Sequence, residues 1–306
     1  MEKLLITGAS GFLGFAVTRE IAAVGGYDIY AITTGRRPAA FPPGVHAVTA
    51  DLLDRAQSHR LINETCPELM LHLAWELSGP GYHNSDTNLV WLEESLYMLR
   101  SFIESGGKYF AFAGSSSEYG RSGGFSENGG KNAVSLYGQC KNAFHNTASK
   151  YTAVNNAGYA NLRFFPALGR GANANTAAAA AAAAAFVRGE HFECKAPYNV
   201  WDFISAGDAA KAALAVLIKK YNGTVNIGSG IPRAMGNVFA QIAEKMNCSH
   251  LLSIDYGNKS SEILVADTCI LNNVIGYKCS YDFNDTLDDL IAAIREREKE
   301  NADKRI

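Results

Sequence analysis

The chain lacks a C-x-x-C pair: its six cysteines, Cys66, Cys140, Cys194, Cys248, Cys269 and Cys279, lie far apart. That scatter excludes a zinc-site spacing, argues against a disulfide framework, and fits reduced thiols packed inside a cytoplasmic protein. An excess of either charge is missing too. With 28 basic and 30 acidic residues the formal net charge is -2, so no global attraction draws the chain to nucleic acid or to an anionic membrane. Any anionic ligand must be held locally. No basic segment or small-residue cleavage site accompanies the opening "MEKLLITGASGFLG", which predicts no secretory signal. A mixed apolar run long enough to span a bilayer is absent as well.

The longest uninterrupted apolar run opens with nine alanines, Ala177 to Ala185. Alanine is the best helix former, so the run predicts a helix. Its uniformity is foreign to the rest of the sequence and points to side chains that were replaced or not identified; a functional residue there would be hidden.

What is present is a chain of 306 residues, 47% hydrophobic, long enough for one large domain or two closely joined ones. Through its first half, short apolar runs ("KLLITG", "YDIYAITTG", "VHAVTADL", "LMLHLAW", "KYFAFAGSSS", "GYANLRFFPALG") alternate with amphipathic stretches. This alternation predicts an α/β fold, a doubly wound parallel sheet with helices on both faces. After Gly169 the segments shorten and become irregular. "VWDFISAGDAAKAALAVLIKKY" and "TVNIGSG" read as a helix and a strand returning to the sheet. The expected division is residues 1–168, with 200–228 returning to them, for a dinucleotide-binding domain, and 169–306 mainly for a smaller, interleaved substrate domain.

"ITGASGFLG" spaces Gly8, Gly11 and Gly14 three apart, directly after an apolar strand and at the opening of a helix whose first turn carries Phe12 and Leu13. One glycine permits the turn, another lets the backbone approach a pyrophosphate, and the helix start offers free N–H groups and a positive dipole end. A tight turn without ligand is the bland alternative. In dinucleotide folds an acidic residue at the end of the second strand holds the ribose of NAD. Here Thr33 and Thr34 stand there, followed by Gly35, Arg36 and Arg37. Guanidinium suits a 2′-phosphate, which favours NADP over NAD; a solvated basic turn is the alternative. Asp51 and Leu52, after the third strand, are placed to border an adenine, unless Asp51 caps the following helix.

"TGASGFLG", "HLAW", "AGSSSEYG", "LYGQCK", "WDFISAGDAA" and "NIGSGIP" follow one another in the order of the extended short-chain dehydrogenase/reductase superfamily. Across nearly its whole length the chain resembles the NAD-dependent epimerase/dehydratase family, which modifies nucleotide sugars. The resemblance implies a Rossmann-type fold, with Ala74 of "HLAW" at the cofactor and Ser115, Tyr137 and Lys141 as catalytic residues. It also implies a homodimer through the helix around Leu92 and the tyrosine helix. The chemistry agrees: hydride exchange between nicotinamide and a carbinol requires a group that moves the hydroxyl proton. Bringing a phenol from near pKa 10 to near 7 takes about 4 kcal/mol of preferential phenolate stabilisation, for which a lysine ammonium one turn away has the correct sign.

Family members that eliminate water across C4 and C6 of a hexose carry T-D-E where this chain has Ser115, Ser116 and Ser117. Both acids are missing, which argues against a 4,6-dehydratase. Glu118 falls where the family often has valine, and is expected to point toward a backbone or ribose group. Pro166 replaces the asparagine of many sugar epimerases and is expected to present its backbone to the nicotinamide carboxamide. Asn88 matches a family asparagine or serves as a local bridge, and His83, in the loop Glu76 to Asp86 that borders the sugar, reads as a solvated histidine rather than a catalyst. The reading is a 4-keto nucleotide-sugar reductase. A 4-epimerase, a reductase of a non-sugar ketone and a non-catalytic NADP sensor remain as alternatives. No metal is expected.

Overall fold

The computed structural model describes residues 1–36, 39–77, 79, 81–120, 123–129, 132–172, 174 and 177–303. Its first half follows the alternation read from the sequence: β1 (Glu2–Thr7), α1 (Phe12–Val24), β2 (Tyr27–Thr33), β3 (Val45–Thr49), α2 (Arg55–Thr65), β4 (Leu69–His72), α3 (Thr87–Glu104), β5 (Tyr109–Ser115), β6 (Gly123–Phe125), α4 (Leu136–Val154) and β7 (Gly158–Phe164). The second half is made of shorter pieces: β8 (Ala167–Leu168), α5 (Ala178–Val187), β9 (Phe192–Cys194), β10 (Val200–Asp202), β11 (Ile204–Ser205), α6 (Ala206–Lys219), β12 (Gly223–Ile227), β13 (Pro232–Ala234), α7 (Met235–Lys245), β14 (Leu252–Ile254), β15 (Ile263–Ala266) and α8 (Phe283–Asp303).

Seven parallel strands form the central sheet in the order β12-β7-β5-β4-β1-β2-β3. The order reverses at β1, so the crevice between the C-terminal ends of β1 and β4 is a topological switch point. Side chains alternate across the strands as the pleat requires. Leu4, Ile6, Leu69 and Leu71 face α1 and α6, where Val17, Ile21, Ala209, Ala213 and Leu217 cover them. Leu5, Met70, Phe110 and Phe112 face the other way, against Ile62 of α2, Met98 and Phe102 of α3, and Phe144 of α4. Each of these large side chains, fully buried, contributes roughly 1.5–3 kcal/mol.

A second core joins α5, α7 and α8 through Phe186, Phe239, Ile242, Leu290 and Ile294. The alanine run is a helix there, with six of its alanines buried. A four-stranded sheet, β13-β10-β15-β6, completes this part. β6 is donated by the segment that leaves the central sheet after β5, so the two parts share a strand connection.

"VWDFISAGDAAKAALAVLIKKY", read from sequence as a helix, instead opens with β10 and β11 and becomes helical only at Ala206. The reason is tertiary. Asp202 is fully buried, and its carboxylate accepts the N–H groups of Ser229 at 2.9 Å, Gly230 at 2.8 Å and Ala266 at 3.3 Å, which pins the segment as a strand. Ser205 then caps α6 by accepting the Asp208 N–H at 2.9 Å. No described helix is long and apolar enough to cross a membrane.

Candidate active site

The glycine turn connects β1 to α1 at the switch point. Gly8 adopts φ +67°, and a Cβ there would stand 2.8 Å from the Ala74 nitrogen, so the turn packs directly on the end of β4. A Cβ on Gly14 would stand 2.0 Å from the Gly8 carbonyl oxygen, so the helix can approach the turn only without a side chain at that position. Gly11 is the N-cap of α1 and supplies no side-chain cap, whereas α2, α4 and α6 are capped by Asp54, Ser135 and Ser205. The N–H groups of the first turn, which carries Phe12 and Leu13, are therefore left for an outside acceptor, and a pyrophosphate fits that requirement. Phe12 packs toward the second core and Leu13 toward the sheet. Ala74 is buried and donates its N–H to Thr7 Oγ1 at 3.2 Å, which ties the ends of β4 and β1 together.

At the end of β2, Thr33 Oγ1 accepts the Gly35 N–H at 3.1 Å and the Thr33 carbonyl accepts the Ala50 N–H at 2.9 Å. A cavity of about 220 Å³ opens there, lined by Thr34, Arg36, Thr49, Ala50, Asp51 and Gln57. Arg36 is exposed on its rim, and Arg37 lies outside the described residues. Asp51 shares the cavity with Arg36, so a carboxylate and a guanidinium border the same space. The helix that follows is capped by Asp54, which accepts the N–H groups of Ala56 at 2.9 Å and Gln57 at 3.2 Å; Asp51 is not the cap. Asp51 instead accepts the Leu53 N–H at 3.0 Å, and Leu52 is buried beneath it.

Ser115 ends β5, and Tyr137 and Lys141 lie on the buried face of α4. Sheet and helix bring the three together, with the Ser115 hydroxyl near enough to Tyr137 to act on its phenol. Burial raises that phenol well above its ordinary range, while Ser115 pulls it downward. Lys141 Nζ donates to the Ala113 carbonyl at 2.8 Å and lies 3.9 Å from the Trp75 ring centroid and 4.4 Å from that of Phe112. Burial pulls the Lys141 ammonium down to about 7, and the charge of Glu118 opposes that fall. Burial and the Lys141 charge hold His72 near 3, a neutral ring between Thr7 Oγ1 at 2.7 Å and Ser95 Oγ at 2.9 Å.

An aromatic enclosure around Tyr137 was not legible in the sequence. The rings of Trp75, Tyr82 and His83 lie 6.3, 5.6 and 6.1 Å from that of Tyr137, each close to edge-on, and His83 stacks on Tyr82 at 4.0 Å. The one available signal was a tryptophan directly after "HLA". Asn88 is a bridge: its Oδ1 accepts Trp75 Nε1 at 2.9 Å, and its Nδ2 donates to the carbonyls of Tyr82 at 2.7 Å and Ser85 at 2.9 Å. Asn84 Oδ1 accepts the Leu136 N–H at 3.1 Å, which anchors the same segment to the start of α4. Pro166 follows β7, and its carbonyl already accepts the Ile204 N–H at 3.0 Å.

The model of the NAD dependent epimerase/dehydratase family matches residues 4–228. The chain belongs to this family. It is an epimerase/dehydratase-type enzyme, and its seven-stranded sheet is the Rossmann-like core of such proteins. Among curated relatives, dTDP-6-deoxy-L-talose 4-dehydrogenase (NAD(+)) of Aggregatibacter actinomycetemcomitans is 25% identical over 248 residues, 80% of this chain and 91% of that protein. Solved structures share the fold. UDP-glucose 4-epimerase of Thermus thermophilus, in complex with NAD, has a TM-score of 0.83 at 20% identity, covering 96% of this chain and 99% of that one. UDP-glucose 4-epimerase of Thermotoga maritima, with UDP-glucose, has a TM-score of 0.85 at 18% identity, covering 97% and 99%.

Proposed function

We propose that this epimerase/dehydratase family member is an NADP-dependent 4-keto reductase of a nucleotide sugar, with Ser115, Tyr137 and Lys141 as its catalytic residues. The observation that carries the reading is that Tyr137 and Lys141 are both buried one helical turn apart, with Lys141 Nζ donating to the Ala113 carbonyl at 2.8 Å two residues before Ser115, near an uncapped glycine turn. The glycine turn with Phe12 and Leu13 would hold the pyrophosphate, Arg36 the ribose phosphate, and Asp51, Leu52, Ala74 and Pro166 would border the rest of the dinucleotide. When bound, the nicotinamide supplies the hydride that is exchanged with the carbon bearing the sugar oxygen. Ser115 holds that oxygen by a hydrogen bond, and Tyr137 delivers the proton to it.

A phenol kept protonated by burial suits proton donation to a carbonyl, the reducing direction, and the Lys141 ammonium stabilises the phenolate left behind. The 25% identical relative named as a 4-dehydrogenase supports redox chemistry at C4. The 4-epimerase is the second reading, favoured by the fold shared with two UDP-glucose 4-epimerases. Neither Ser116 nor Ser117 can replace the acid pair of a 4,6-dehydratase, so elimination is excluded from the proposal. In this scheme residues 1–168 and 200–228 bind the cofactor, 169–306 mainly bind the sugar, and the enzyme works in the cytoplasm as a homodimer through α3 and α4.

The test is absorbance of reduced nicotinamide with a panel of UDP- and dTDP-4-keto sugars, offering NADPH and NADH in parallel. Consumption of NADPH is expected, and conversion of a sugar without net cofactor consumption would favour the epimerase. Tyr137→Phe should lower turnover by about a hundredfold or more while cofactor affinity stays within about twofold; retained turnover removes the assignment.

A further inference from the structure

Behind Ser115 lies a carboxylate that the proton transfer does not use. Glu118 is fully buried. Its Oε1 accepts the Ser115 N–H at 2.8 Å, and its Oε2 accepts Arg163 Nε at 2.7 Å and Asn161 Nδ2 at 2.9 Å. Its backbone carbonyl accepts Asn142 Nδ2 at 2.9 Å. Ser115 is thus held twice, since its hydroxyl also accepts the Ser117 N–H at 3.1 Å, which leaves the hydroxyl hydrogen free to point elsewhere. A Cβ on Gly114 would stand 2.3 Å from Asn161 Oδ1 and 2.4 Å from Glu118 Oε1, so β5 gives up a side chain where the carboxylate rests on its backbone.

Burying a carboxylate costs several kcal/mol, and its pairing with a guanidinium commonly does no better than break even against an apolar pair of the same volume. Anchoring a turn does not require that expense; a neutral acceptor would serve. Lys141 lies against the rings of Trp75, Phe112 and Tyr137, and the titratable groups whose charge reaches it are Glu118, Cys140 on α4 and His72 on β4. His72 is neutral, and burial keeps the Cys140 thiol and the Tyr137 phenol protonated. Of these groups, Glu118 carries the full negative charge.

We propose that Glu118 is a positioning residue for this site, fixing the Ser115 hydroxyl and setting a negative charge behind Tyr137 and Lys141. The inference rests on the reading of Ser115, Tyr137 and Lys141 given above. Its charge acts on Lys141 in the direction that keeps the ammonium protonated.

The deciding experiment titrates Lys141 by NMR of isotope-labelled lysine, its resonance assigned by loss in Lys141→Met, beside kcat and KM against pH on the fastest-reduced sugar of the panel. In Glu118→Gln the Lys141 midpoint should fall by about one pH unit, and the kcat profile should move toward acid by a similar amount. KM should stay within about twofold. Because Arg163 loses its buried partner in that variant, Glu118→Gln/Arg163→Met carries the measurement if the single variant does not fold, with a smaller fall expected because the cation that offsets the carboxylate leaves with it. A folded variant of either kind with an unmoved Lys141 midpoint and merely reduced kcat overturns the proposal and leaves the Ser115, Tyr137, Lys141 reading standing. A Tyr137→Phe protein that still turns over overturns both.

Discussion

The two faces of β7 differ sharply in chemistry. On one side Ala160, Leu162 and Phe164 join Val225 and Ile227 of β12 beneath α6, an apolar layer that is worth its buried area wherever it sits. On the other, Tyr159, Asn161 and Arg163 face α4, and Asn226 of β12 lies beside Arg163 in the sheet. There most polar groups have named partners, while Asn161 Oδ1 and Arg163 Nη2 are buried without one among the described residues. Arg163 meets Glu118 and the Glu127 carbonyl, its guanidinium lies 4.4 Å from the Tyr119 ring centroid, and Asn226 accepts the Tyr119 hydroxyl at 2.7 Å. The apolar face is tolerant of exact placement; the polar face works only if each partner arrives. The segment that carries Ser115 and β6 is fastened to the polar one. Stability and positional accuracy are thus supplied by opposite sides of the same strand.

Arg163→Met should break the polar face most severely, because Glu118 would stay buried without its cation. A loss of about 4 kcal/mol in urea unfolding is expected. A loss near that of an exposed ion pair would mean that the layer is solvated and the contrast false. Leu162→Ala attacks the apolar face at a fully buried position and should cost about 3 kcal/mol. Its kcat profile against pH should nevertheless superimpose on that of the unmodified enzyme, since the Leu162 side chain lies in the cluster beneath α6 whereas Lys141 lies against Trp75 and Phe112 on the other face of the sheet. A displaced profile would show that the two faces are coupled.

A further test sharpens the comparison by pH. Lys141 titrates near 7 in the folded chain against an ordinary 10.5, so between these values the unfolded chain binds the extra proton. Its contribution to stability therefore rises with pH through that window, by up to roughly 1.4 kcal/mol per pH unit, and is flat below it, where both states are protonated. The difference in urea midpoint between the unmodified protein and Lys141→Met should follow that slope. A difference that does not vary from about pH 7 to 10 would place the lysine in water.

Much of the site could be read without coordinates because it depends on local periodicity. Gly8 and Gly14 announce their turn, and Tyr137 and Lys141 share a helix face by spacing alone. The same reasoning failed at Val200 to Ser205, where contacts from Ser229, Gly230 and Ala266 overrule helical preference. It was also silent on Trp75 and Tyr82, whose rings reach Tyr137 from a different segment.

By itself, then, the order of residues determined the alternation of strands and helices, the glycine turn and the pairing of tyrosine with lysine, since each follows from steric and hydrophobic rules acting over a few residues. Only the tertiary structure decided that Ser115 meets Tyr137, that β6 leaves for the smaller sheet, and that Glu118 finds Arg163 45 positions away. A buried charge is tolerable only beside its partner, and which residue that partner is depends on how the strands come together.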